Sequence, residues 1–245
     1  MTSPDPALPE SSFPSSSRPF GLARLRHALS RALVSAFSLF AFTLPFTSLM
    51  AFTYEVTRDR IRAAVEQQQM LLIGEVLPNL HYDNALLADM IEAEINNEGR
   101  VGKVWRARNG GVPVALVFET FAPDGYGGRI DLIVSLDNEG RVGGARVASH
   151  RETPGLGDYI DPTKDRKKEK PWISQFVGVD ATMSAAHWEV KKDGGNFDYP
   201  AGATVSARAV TRAVGRAATW VNANRGALFN ATMGSRFDAE KRNNP

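Results

Sequence analysis

The chain has 245 residues and a formal net charge of +2, enough length for one or two domains with a real core and too little charge to argue for a nucleic-acid partner. It contains no cysteine, which excludes disulfides, cysteine-ligated iron–sulfur clusters, CxxCH haem attachment, thiol nucleophiles and cysteine-linked flavin. Its four histidines, His27, His81, His150 and His187, show no HxxxH spacing, so no metal site is expected.

Residues 1–20 are rich in Ser and Pro and offer little to bury; with the basic cluster Arg24, Arg26, His27 and Arg31 they read as a disordered cytoplasmic tail over 1–31. Residues 32–54 (ALVSAFSLFAFTLPFTSLMAFTY) carry no charge and are long enough to cross a bilayer as a helix. Pro45 lies inside this run, where a membrane helix tolerates it with a kink. A signal peptide has a shorter apolar core and a small-residue cleavage site, and a buried core helix rarely has charge at both ends of so long an apolar run, so a single uncleaved span is favoured over both. The arginine excess before the span places the N-terminus inside and the bulk of the chain outside, in the periplasm.

Residues 55–98 read as a helical stalk, ended by Pro78, and a short connector. Residues 101–108 (VGKVWRAR) alternate apolar and polar as a half-buried strand does, and Asn109 and Gly110 signal a hairpin into VPVALVFET at 112–120. A loop at 122–128 (APDGYGG), a third strand at 129–136, a turn (DNEG) and a fourth strand at 141–150 complete a meander. Helical material follows. The fold class is therefore α+β: one N-terminal transmembrane helix, then an antiparallel β-meander with packed helices over 99–225, then a polar tail over 226–245. Neither GxGxxG nor a Walker loop is present.

Three stretches carry candidate chemistry. HRETPGLGD at 150–158 packs Pro154, Gly155 and Gly157 into a tight loop; it reads either as a strand-to-helix connection or as a ligand-lining loop with Glu152 and Thr153 as polar contacts and Leu156 as an apolar cover. KDRKKEK at 164–170 reads as a solvated mixed-charge run, with a docking surface as the other option. WEVKK at 188–192 reads as a strand leading into a glycine-rich turn, with Lys191 and Lys192 as exposed strand lysines or as partners for a phosphate or a reduced flavin ring. The chain then reaches DYPAGATVS at 198–206. Val210, Val214, Ala217 and Val221 behind it recur on one helix face. A hydroxyl at such a helix start serves either as an N-cap or, beside free backbone N–H groups and the positive dipole end, as a phosphate site.

HRETPGLGDYI (150–160), HWEVKKDGGNFD (187–198), GAT (202–204) with SARAVTRAV behind it, and the strand APDGYGG…LDNEGRVGGARV (122–147) together resemble the RnfG component of the Rnf electron transport complex, a relative of the C component of the sodium-translocating NADH:quinone reductase. The resemblance implies FMN held covalently through its phosphate on the hydroxyl of Thr204, an attachment made by a separate flavin transferase. Gly202, Ala203, Val205, Ser206, Glu152, Thr153, Leu156 and Lys192 are the further cofactor-binding candidates. The family usually has Ser or Thr where this chain has Ala201. The implied protein is a flavoprotein component of a bacterial inner-membrane translocase. It relays electrons between NADH and ferredoxin in a complex that moves ions, with no catalytic residue and no independent substrate site of its own. Its partners are the other Rnf proteins, the transferase and membrane lipid. The alternatives are the C component of the quinone reductase and a non-redox, membrane-tethered scaffold in which Thr204 is only a cap.

Overall fold

A computed structural model describes residues 22–77, 80–95 and 100–239. Residues 1–21 of the tail expected over 1–31, the helix stop at Pro78 and the last residues, 240–245, lie outside the described residues. The chain divides into two units, up to Ala63 and from Ala64 onward.

The first unit consists of the N-terminal part of α1 (Leu22–Val76), which already begins inside the stretch expected to be a tail. Pro45 is accommodated within it. At 1.5 Å per residue, residues 32–54 span roughly 35 Å, enough for a hydrocarbon core of about 30 Å. Val34, Phe37, Phe42, Phe46 and Met50 are all exposed, with Phe37 at 73% and Met50 at 76%. Among the described residues this is one helix long and apolar enough to cross a membrane, and its most apolar stretch has a mean hydropathy of 1.7 with none of it buried. An apolar surface all round a helix of this length fits a single-pass membrane anchor.

The second unit is built on a six-stranded sheet of β1 (Met90–Glu94), β2 (Val101–Asn109), β3 (Val112–Gly125), β4 (Gly128–Asp137), β5 (Val142–Ser149) and β6 (Arg236–Phe237). Spatial order is β5-β4-β3-β2-β1-β6, antiparallel throughout except for the parallel β1–β6 pair. β3 is apolar at nearly every position because both faces of the sheet are covered. Leu116, Phe118, Leu132, Val134 and Leu136 face α2 (Thr204–Asn230) and the short 3-10 turns. Ala115, Val117, Trp105 and Ile133 face Ile73, Val76 and Leu77 at the end of α1, with Leu86 from the connector. Ser135 Oγ donates to the carbonyl of Val76, so the last turn of α1 is tied to the sheet.

Several elements differ from expectation. β1 lies inside the stretch 55–98 expected as stalk and connector; its five residues form an edge strand that becomes apparent only when paired with β2. Residues 122–125, expected in a loop, continue β3 through a bulge to a tight turn closed by Gly125 and Gly128. Residues 188–192 do not form a strand: one bridge, Val190 to Phe197, flanks a 3-10 turn at Lys191–Asp193. The chain beyond 225 is not simply a tail. Leu228 and Phe229 are buried in the core, each worth about 1.5–3 kcal/mol of burial. The last carbonyls of α2 are met by guanidinium groups from β2: Arg106 donates to Ala231 O (2.5 Å) and Phe229 O (3.2 Å), and Arg108 to Phe229 O (2.7 Å), with Asp89 pairing both arginines.

Candidate functional site

The site gathers at the N-terminus of α2. Pro200 accepts from the Ala203 N–H (3.3 Å) across a β-turn whose third residue, Gly202, has φ +85°, a conformation that a side chain disfavours. Ala203 is the N-cap residue and has no side chain able to cap. Thr204 is the first helical residue. It is half-buried, and among the described residues its hydroxyl has no hydrogen-bond partner. The N-cap reading of Thr204 is therefore not what the geometry supports. Val205 is 41% exposed on the same turn.

The turn is held in place from elsewhere. Tyr159, in the 3-10 turn Asp158–Ile160, is buried and donates its hydroxyl to Ala203 O at 2.9 Å. Burial pushes the phenol well above its usual 10; the Glu152 and Asp165 carboxylates add to this, and the Ala207 N–H donating to the phenol oxygen opposes it. Trp172 packs edge-on against Tyr159 at 5.4 Å and donates its indole N–H to Asp198 O at 2.6 Å, while Gln175 Oε1 accepts from the Asp198 N–H at 2.8 Å. The segment leading to Thr204 is held at both ends, at Asp198 and at Ala203. The expectations from sequence omit Tyr159, Trp172 and Gln175; the apolar triplet of PWISQF signals only an amphipathic turn.

Two predicted flavin contacts turn inward instead. Glu152 is 4% exposed; it accepts from the Gly127 N–H (2.9 Å) and from the hydroxyl of Ser206, itself buried in the first turn of α2. A side chain at Gly157 would stand 2.5 Å from Glu152 Oε2 and 2.7 Å from Ser206 Oγ, and one at Gly125 or Gly127 would collide with the same hairpin and loop. The glycines of GYGG and GLG thus make room for a buried carboxylate and not only for a ligand. Glu152 and Ser206 tie the β3–β4 turn, the loop after β5 and α2 together, and the carboxylate sits favourably at a helix N-terminus.

The other predicted residues are distributed around this point. Thr153 and Leu156 are exposed, Leu156 at 56%. Leu156, Ala201 and Ala203 line one groove of about 770 Å³ with Tyr159, Trp172, Tyr199 and Pro200, a size within the range of cofactor sites. Lys192 is exposed on the 3-10 turn and does not line that groove; Lys191 pairs with Asp198 at 2.6 Å. The turn and the residues before it are tied to α2 by ion pairs: Asp193 accepts from two nitrogens of Arg208 (2.5 and 2.9 Å), and both oxygens of Glu189 accept from Arg212 Nε (2.7 and 2.9 Å). Arg208 holds the Asp193 carboxyl below its ordinary value.

Residues 29–76 match the RnfG N-terminal region, and residues 125–219 match the FMN-binding domain. The G component of the ion-translocating oxidoreductase complex of Pseudoalteromonas atlantica is 38% identical over 201 residues, covering 80% of this chain and 89% of the relative. The chain belongs to the RnfG family of ion-translocating oxidoreductase complexes. The corresponding protein of Shewanella baltica is 38% identical over 203 residues (81% of this chain, 93% of the relative), and that of Vibrio cholerae 37% over 187 residues (75% and 87%). The FMN-binding domain of this RnfG family member begins at the β3–β4 turn and ends in α2, so it contains the Glu152 tie, the Tyr159 anchor and the Thr204 turn.

The residues present fit FMN. The first turn of α2 carries no acidic residue and its amide N–H groups have no side-chain cap, which leaves an anion-accepting end beside an unengaged hydroxyl. The neighbouring groove supplies apolar and aromatic walls.

Proposed function

We propose that this chain is a membrane-anchored flavoprotein carrying FMN on Thr204 through a phosphoester, and that it relays electrons within a complex coupling NADH and ferredoxin redox chemistry to ion translocation. The observation that carries the reading is the placement of Thr204: first residue of α2, hydroxyl unpartnered among the described residues, in a turn anchored by other side chains. When bound, FMN supplies electron transfer. The protein's part is to hold the nucleotide. Thr204 Oγ is the attachment atom, the first-turn N–H groups of α2 meet the phosphate, Gly202 and Ala203 leave the hydroxyl accessible to a flavin transferase, and Leu156 covers the isoalloxazine from the groove wall, with Val205, Thr153 and Lys192 as further contacts that the resemblance implies. Glu152 and Ser206 act one layer below, fixing the turn.

Residues 32–54 are the single lipid-embedded span, and the flavin domain faces the periplasm of a bacterial inner membrane, as the arginine bias predicts. The match to the RnfG N-terminal region favours the Rnf complex over the quinone reductase. The test is co-expression with a flavin transferase, denaturation, and in-gel flavin fluorescence. The parent chain is expected to fluoresce and Thr204→Ala to be dark. Fluorescence persisting in the variant moves the attachment elsewhere, and a dark parent favours a scaffold.

A further inference from the structure

The groove beside the attachment turn has an unevenly charged rim. Residues 164–170 (KDRKKEK) form an exposed strap between the Tyr159 and Trp172 turns, and Lys164, Arg166, Lys167 and Lys170 line the groove from it. All four are exposed, and none is in an ion pair among the described residues. The carboxylates on the same rim are engaged already. Asp158 accepts from the Gly155 N–H at 2.9 Å; Asp165, buried, accepts from the Lys167 and Trp172 amides at 2.9 and 2.5 Å; Asp198 holds Lys191. Asp165 also pins the strap, so its cations are presented from a fixed base. The whole chain carries only +2, so this is a concentration of charge and not a reflection of composition.

Tyr159, Trp172 and Gln175 already hold the attachment turn, which leaves the strap cations outside that framework. Unpaired cations at the mouth of a cofactor groove suit a partner of opposite charge: complementary fields steer the encounter, and transient redox contacts are small and need little apolar burial. A lipid surface fits less well, because interfacial binding joins basic residues to inserted apolar ones and residues 164–170 contain no apolar side chain. The geometry points to residues 164–170 as the docking face for an Asp/Glu-rich surface of a partner protein, seated at the mouth of the flavin groove. Such a docking face rests on the electron-relay reading of the site.

The absence of native cysteine permits a direct test in the full chain in its host membranes. Lys167→Cys, carrying a thiol-linked photocrosslinker, is expected to crosslink to an acidic segment of a protein, mapped by mass spectrometry. The yield is expected to fall with added salt, and about tenfold when Lys164, Arg166 and Lys170 become Glu, the lower end of what charge steering contributes. If the Glu set reduces the protein in the membrane, Gln at the same three positions provides the comparison. Crosslinks to lipid, a yield indifferent to charge and salt, or a yield no greater than from the exposed Val112→Cys overturns the proposal. In-gel fluorescence is read on the same samples: a dark parent that still crosslinks to an acidic protein defeats the flavin reading alone, and a fluorescent parent without such crosslinks defeats the docking face alone.

Discussion

Thr204, Tyr159 and Glu152 divide the labour of one small volume. Thr204 offers the hydroxyl, Tyr159 fixes the carbonyl just before it, and Glu152 fixes the turn just after it through Ser206. The spacing around Thr204 left two uses open, a helix cap or a phosphate site, and the choice of Thr204 came from the resemblance of the surrounding blocks to RnfG. Glu152 was legible as important, but its direction was not: a carboxylate beside glycines reads equally well as a ligand contact or as a buried tie, and only the close approach of Gly157 decides. Tyr159 was not legible, because an aromatic in a short turn gives no sign of the backbone it will reach. Tyr159→Phe keeps the ring packed against Trp172 and removes one hydrogen bond. It is expected to cost about 0.5–1.5 kcal/mol in denaturant unfolding. The flavin-to-protein ratio after transferase treatment should fall by more than that loss of stability explains; an unchanged ratio would mean that the attachment turn holds without the phenol.

Helix α2 is the element on which the site is mounted, and its two internal glycines behave differently. A side chain at Gly215 would collide with the Trp188 ring, whereas nothing lies within 4 Å of the one at Gly226. Alanine improves helix propensity by about 1 kcal/mol at either position, but overpacking costs about 1–3 kcal/mol at the first. Gly215→Ala is therefore expected to destabilise and Gly226→Ala to stabilise, each read as a shift in unfolding midpoint. The 3-10 turn at Lys191–Asp193 is fastened to α2 by Asp193 and Arg208. Because the folded Asp193 carboxyl lies below its ordinary 3.8, its contribution is present above that pH and is lost as pH falls through the folded value. Protection of the amides in residues 191–197, taken relative to their intrinsic exchange at each pH, is expected to hold down to pH 3.8 and to fall below it; Asp193→Asn should remove that step. The strand expected at 188–192 failed for a physical reason: alternating apolar residues there pack Trp188 and Val190 into the core from a turn, and ion pairs to α2 replace a ladder.

At the level of the whole chain, the order of parts was legible because each carries a strong local signature: an uncharged run, alternating strands, a periodic helix. Its ends were not. β1 and β6 are short edge strands, and α2 reaches Asn230 because Arg106 and Arg108, distant in sequence, meet its last carbonyls. With residues 32–54 exposed and apolar, the protein is expected to stay with membranes through a carbonate wash, and a chain lacking 32–54 to appear in the soluble fraction. Release of the full chain by the wash would exclude a spanning helix. The most direct measurement is mass mapping of the peptide containing Thr204 from protein purified out of its native membranes. An FMN phosphoester on the Thr204 hydroxyl is the expected result, and an unmodified Thr204 peptide from an otherwise assembled complex would contradict it.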